Sequence, residues 1–231
     1  MIKIERIETY GWEAAIRGMR NPKNSWSKMD SHYGCANGGH CMECKSPCLA
    51  AFKYYIIGPN DLMLMHALCK AGSDHRKFLR MITVTMDITA PLYWWKEFDT
   101  YKVGTVANSC STMHKIAAKK FDINDFSYEH LKPLALEHMH KTVDMLNMYR
   151  DYFLETKNND DWWQLIQLLP TSYNQKRTVL LNYEVLCNMY HARKHHKLDE
   201  WHTFCDAVEQ LPYADLITGG SAHEEKEPAH A

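Results

Sequence analysis

Four cysteines fall within fourteen residues, at Cys35, Cys41, Cys44 and Cys48, in the spacing C-x5-C-x2-C-x3-C. Thiolates at such intervals can serve as metal ligands. The Cys41–Cys44 knuckle can fill two adjacent corners of a tetrahedral zinc site. An iron–sulfur cluster is the alternative, since it too is held by four thiolates. Free loop thiols, or ligands shared across a subunit interface, are the plainer readings. A metal would order a Gly- and Asn-rich loop that has too few apolar residues for a core of its own. His32 and His40 stand close by. A lone thiol, Cys110, lies in a polar stretch near Lys102 and His114, a setting in which cysteines become nucleophilic.

These residues must be positioned by a chain of 231 residues, enough for one domain with a real core. Hydrophobic residues make up 45% and charged residues 24%, the balance of an ordinary globular protein. The net charge of −1 gives no basic field for nucleic acid. No apolar run approaches the roughly 18 residues that span a bilayer, so no membrane partner is expected. "MIKIERIETY" lacks the pattern of a signal peptide, so a cytoplasmic location with reduced thiols is expected. We expect one domain over residues 1–217, carrying a Cys-rich loop at 31–50, and a disordered tail at 218–231.

Apolar periodicity supplies the elements. "IKIERIETY" alternates like a half-buried strand, and "GWEAAIRGMRN" suits a short helix. Residues 21–50 read as loop and 59–72 as a helix. Residues 78–90 are β-branched and alternating, which predicts a strand. Pro91 then opens a helix. Residues 103–113 show no period and read as loop. A helical pattern runs from Phe126 to Lys157, with Pro133 as its start or a kink. "DDWWQLIQLL" gives a short helix, and residues 174–196 and 198–210 give two more. The Trp pairs at 94–95 and 162–163 read as core. The sum is an α/β (α+β) chain with more helix than strand.

The spacing of "LPTSYNQKRTVLLNYEVLCNMYHARKHHKLDEW" resembles the C-terminal half of the flavin-dependent thymidylate synthases, the ThyX family. In that family a Leu-Pro is followed by two Asn, an Arg and a Trp. Here these are Leu169-Pro170, Asn182, Asn188, Arg193 and Trp201. Residues 74–102, "DHRKFLRMITVTMDITAPLYWWKEFDTYK", are similar to the family's middle segment, with His75 and Ala90-Pro91 in register. The family's RHRxxSxNExSxR signature has become "TYKVGTVANSCSTMH". Thr100, Tyr101 and Lys102 stand at the RHR. Asn108 and Ser111 stand at the Asn and the last Ser, after an insertion.

The resemblance implies a single domain with a small central antiparallel or mixed sheet flanked by long helices, assembled as a homotetramer with interfacial active sites. It implies FAD as cofactor, with NADPH and methylene-tetrahydrofolate as co-substrates, and the reductive methylation of dUMP to dTMP. His75, Lys102, Asn182 and Asn188 fall at the flavin. Glu97, Asn108, Ser111 and Arg193 fall at the nucleotide. Arg193 and Ser111 take the catalytic places, with Arg193 polarising the uracil ring. The plainer readings are a solvated Arg193 and a turn-capping Ser111. The departure is the loss of the signature arginines, for which Lys102, Lys115, Lys176 and Arg177 are the substitutes at hand. Lysine lacks the bidentate fork, so the exchange is not neutral. The loss motivates a second expectation: a related enzyme acting at C5 of another pyrimidine nucleotide, for instance by hydroxymethylation. A third is a non-catalytic metal-binding scaffold.

Overall fold

The computed structural model describes residues 2–34 and 54–220. In chain order the elements are β1 (Lys3–Tyr10), α1 (Trp12–Arg20), β2 (His32–Gly34), β3 (Tyr54–Ile56), α2 (Pro59–Lys70), β4 (Thr83–Pro91), α3 (Leu92–Phe98), β5 (Val106–Ser109), α4 (Pro133–Thr156), α5 (Asn159–Leu168), β6 (Asn174–Asn182), α6 (Tyr183–Arg193), α7 (Asp199–Glu209) and α8 (Asp215–Thr218). The chain is mixed α and β, as its sequence implied. Among the described residues, no helix is long and apolar enough to cross a membrane.

The chain divides into two compact units. The first comprises Met1–Ile7, Thr85–Leu180 and Arg193–Ala207. It holds most of a four-stranded sheet in the order β1-β4-β6-β5, with β5 antiparallel to β6 and Val106 opposite Leu180. Met86, Ile88 and Ala90 alternate inward from β4. Trp94, Trp95 and Phe98 project from α3 at i, i+1 and i+4 into an aromatic core closed by Trp201 and Phe204 of α7. A second cluster packs Ile116, Phe121 and Phe126 against Met139, Val143 and Leu146 of α4 and Leu165 of α5.

The second unit comprises Glu8–Val84, Leu181–Ala192 and Val208–Ala231. Ala15, Ile16 and Met19 form the buried stripe of α1. Trp12 meets Tyr183 edge to face, with ring centroids 5.2 Å apart. Gly11 turns the chain from β1 into α1 at φ +88°, where a Cβ would sit 2.0 Å from the Met81 carbonyl oxygen, so no other residue fits. Arg20 and Asp61 form a buried ion pair, and Asp61 also ties down the backbone N–H groups of Asp30 and Ser31.

Several expectations need correction. The strand predicted over 78–90 begins at Thr83, because Phe78 and Leu79 are buried by a 3-10 turn over Lys77–Met81. Val106–Ser109 is not loop but an edge strand, held by its backbone pairing to β6 while its side chains stay exposed. The long helix starts at Pro133, so residues 126–132 are not helical. The helix predicted over 174–196 is strand up to Asn182 and helix only from Tyr183. In β6 Val179 and Leu181 alternate inward between exposed Thr178 and Leu180, and that two-residue period wins over the helical one. Trp94 and Trp95 are core, but Trp163 is 48% exposed.

Candidate active site

Arg193, the last residue of α6, belongs to the first unit and lies in a polar cluster there. Its Nη1 donates to Glu97 Oε2 at 2.7 Å, and its Nε donates to the Tyr101 hydroxyl at 3.0 Å. The guanidinium lies over the Trp201 ring at 4.9 Å and the Tyr101 ring at 5.5 Å. Stacking on aromatic faces suits a planar cation and holds it in one orientation. Glu97 Oε2 also accepts from Trp201 Nε1 at 3.1 Å and lies 3.2 Å from His196 Nε2. The aromatic core beneath explains the placement: α3 buries Trp94, Trp95 and Phe98 and leaves Glu97 on the rim. Two residues assigned by the sequence, Glu97 and Arg193, are thus brought into direct contact. The roles of Tyr101 and His196 were missed. Neither has a local signal, since both act through a carboxylate or guanidinium distant in sequence.

Asn108 lies on β5 opposite Thr178, with its side chain exposed. Ser111 follows in a turn, where its hydroxyl oxygen accepts from the backbone N–H groups of Met113 (3.3 Å) and His114 (2.9 Å). That is the turn-capping use of a serine, and its own O–H stays available to donate. Cys110 is exposed, and its carbonyl accepts from Gln175 Nε2 at 2.7 Å. Neither Asn108 nor Ser111 bonds to the Arg193 cluster.

The four substitute cations differ. Lys176 lies 3.0 Å from Asp87, and Arg177 lies 2.7 Å from Asp99 with its guanidinium 4.2 Å over Trp95. The Thr178 hydroxyl and Lys176 beside it hold the Asp87 carboxyl below the usual range. Lys102 and Lys115 are exposed and make no side-chain bond among the described residues. They are the cations left for an anionic group.

The remaining predicted residues lie in the second unit. His75 is exposed in the turn after α2. Asn182 closes β6, and its Oδ1 accepts from the Val185 backbone N–H at 2.9 Å. Asn188 is exposed on α6. A cavity of about 520 Å³ in this unit is lined by residues that include His66, Cys69, Arg76, Cys187 and His191. None of His75, Asn182 and Asn188 lines it. Within the unit Arg76 makes a bidentate pair with Glu184, at 2.9 and 3.2 Å. Cys35, Cys41, Cys44 and Cys48, with the zinc expectation, lie outside the described residues, as does most of the tail expected at 218–231. Among the described residues no group of three His, Cys, Asp or Glu side chains is placed to hold a metal.

The fold is similar to that of solved structures. One is Thymidylate Synthase X (ThyX) from Helicobacter pylori with FAD and dUMP, at a TM-score of 0.61 and 16% identity, covering 94% of this chain and 96% of that one. Another is the UMP/dUMP methylase PolB from Streptomyces cacaoi bound with 5-Br dUMP, at a TM-score of 0.60 and 13% identity, covering 90% and 88%. The same methylase bound with 5-Br UMP gives a TM-score of 0.56 at 11% identity, covering 90% and 87%. No family model and no curated protein matches the chain.

Proposed function

We propose that this chain, which carries the ThyX fold, is a flavin-dependent enzyme working at C5 of a pyrimidine nucleotide. The reaction is a one-carbon transfer to C5, whose first form is the reductive methylation of dUMP to dTMP with methylene-tetrahydrofolate and NADPH as co-substrates. The observation that carries this reading is the Arg193 guanidinium, bonded at Nε and Nη1, stacked on Trp201, and left with Nη2 unbonded among the described residues. A cation held this way is preorganised, and directed at a ring carbonyl it stabilises charge as C5 becomes nucleophilic. Its partner Glu97 balances its charge, which suits a neutral ring better than a phosphate. Of the four substitute cations, Lys102 and Lys115 are free for the phosphate among the described residues. Asn108 and Ser111 would hold the nucleotide beside them. A homotetramer as the working form is part of this reading and rests on the sequence resemblance alone.

The residues assigned to the flavin fit it by their chemistry. His75, Asn188 and the Asn182 amide nitrogen keep hydrogen-bonding capacity unused among the described residues, and a flavin's ring edge and phosphates are rich in acceptors. FAD, when bound, supplies the reducing equivalents and takes hydride from NADPH. The chain itself binds, orients and polarises.

A second reading, action on another pyrimidine nucleotide, is favoured by one observation: Thr100, Tyr101 and Lys102 stand where an Arg-His-Arg is expected. The test is direct. The purified protein should be yellow, release FAD on denaturation and oxidise NADPH with nucleotide present. A colourless protein that neither takes up FAD nor oxidises NADPH overturns both readings. Growth of a thymidine-requiring strain then separates dUMP methylation from the second reading.

A further inference from the structure

Around the outer edge of a guanidinium the nitrogens run Nε, Nη2, Nη1. In Arg193 the two ends are taken: Nε by the Tyr101 hydroxyl and Nη1 by Glu97 Oε2. Nη2 lies between them and has no hydrogen-bond partner among the described residues. A ligand that meets Nη2 is therefore flanked by Glu97 on one side and Tyr101 on the other.

Each flank has a defined polarity. Glu97 Oε2 is occupied by Arg193 at 2.7 Å, Trp201 at 3.1 Å and His196 at 3.2 Å, whereas Oε1 accepts nothing from the described residues. The direction of the His196 contact is fixed by its other nitrogen. Nδ1 accepts from the Leu198 backbone N–H at 3.2 Å, so Nε2 carries the proton given to Glu97. Glu97 is thus an acceptor held by three donors, with one oxygen to spare. On the other flank the Tyr101 oxygen accepts from Arg193, and its own proton remains to be donated. The Arg193 and Glu97 side chains are 18% and 31% exposed, so the edge is reachable.

We infer that Glu97 Oε1, Arg193 Nη2 and the Tyr101 hydroxyl form, in that order, an acceptor–donor–donor edge that reads the amino group, N3 and O2 of a cytosine ring. Cytosine presents a donor where uracil presents the O4 acceptor. Cytosine N3 is an acceptor, and O2 is a second. All three groups of the protein are satisfied. Uracil in the same register sets O4 against a carboxylate oxygen and N3–H against Nη2. Slid by one atom, uracil gives N3–H to Glu97 and a carbonyl to Nη2, but leaves the Tyr101 proton unpaired. Sites built on such hydrogen bonds reject analogues that leave a polar group unmatched. The inference rests on the pyrimidine-nucleotide reading and takes its second form, with a cytidine monophosphate or its deoxy form as the nucleotide.

The experiment uses the full-length, flavin-loaded protein and measures dCMP and dUMP affinity by calorimetry. We expect dCMP to bind at least tenfold more tightly than dUMP. Glu97→Gln offers an amide N–H to O4, and should cut that preference at least tenfold without changing FAD content. The ligand itself supplies a test that needs no variant: the 2-pyrimidinone deoxynucleotide, which lacks the amino group, should bind at least tenfold more weakly than dCMP. A wild-type protein that binds dUMP as tightly as dCMP overturns the inference and leaves the pyrimidine-nucleotide reading standing. Unchanged affinity on losing the amino group, or unchanged preference in Glu97→Gln, also overturns it. If flavin-loaded protein binds no pyrimidine nucleotide, both fall.

Discussion

Asn182 Oδ1 accepts the Val185 backbone N–H at 2.9 Å, so the last residue of β6 is also the N-cap of α6. One side chain therefore carries two roles that substitutions can separate. Asn182→Ala removes the cap and should cost about 0.5–2 kcal/mol in denaturant unfolding. Asn182→Asp keeps a capping oxygen but loses the amide donor. It should unfold near the wild-type midpoint and still bind FAD several-fold more weakly. Equal FAD affinity in Asn182→Asp would leave Asn182 a cap alone.

Arg193→Lys keeps a positive charge and loses the planar fork that spans Glu97 and Tyr101. Charge-assisted hydrogen bonds contribute about 1.5–3 kcal/mol each, so nucleotide affinity should fall roughly ten- to hundredfold. FAD content should be unchanged. Calorimetric titration of nucleotide into the variant decides it, and wild-type affinity would remove Arg193 from the base.

The Arg20–Asp61 pair, 2.6 Å long with side chains 4% and 0% exposed, predicts an acid-sensitive fold. Burial alone would raise the Asp61 carboxyl. The Ser31 hydroxyl, Arg20 and the Asp30 and Ser31 N–H groups outweigh burial and hold it below the usual range. A depressed carboxyl contributes stability that is fully present above its unfolded value, about 3.9, and is lost as pH falls through the folded value. Asp61→Asn strands the Arg20 charge and should cost about 3–5 kcal/mol at pH 7. Its stability should also vary less with pH than wild type below about pH 4. A wild-type pH slope in the variant would show that another group sets it.

Thiol chemistry should follow burial. Burial pushes the Cys69 thiol up to about 12, and Cys187 is raised for the same reason. At pH 8 only about one Cys69 in ten thousand is then the reactive thiolate. Cys110 is exposed. Brief alkylation of the native protein, read by peptide mapping, should label Cys110 and spare Cys69 and Cys187. Rapid labelling of Cys69 would mean that its surroundings open readily.

α1 was legible because helical spacing records which side chains must leave water. β1 alternates in sequence and came out near its true bounds, although none of its residues is fully buried. β5 could not be read. All four of its side chains are exposed, and what makes it a strand is the row of backbone partners on β6. β6 was read as part of the helix that follows it because a short apolar run fits both periods.

The candidate site divides the same way. The identities and spacing of Asn182, Asn188, Arg193 and Trp201 are local facts, and their resemblance to a known pattern pointed to flavin and nucleotide. That Arg193 and His196 converge on Glu97, with Tyr101 at the Arg193 Nε, is a tertiary fact. The residues lie as far as 99 positions apart in the chain (from Glu97 to His196), and they meet because Trp94, Trp95, Phe98, Trp201 and Phe204 collapse into one aromatic core beneath them. Sequence by itself determined which groups can donate, accept or carry charge. Only the folded chain decided which nitrogen of Arg193 stays unbonded among the described residues, because hydrogen-bond order around a guanidinium is set by packing and not by spacing.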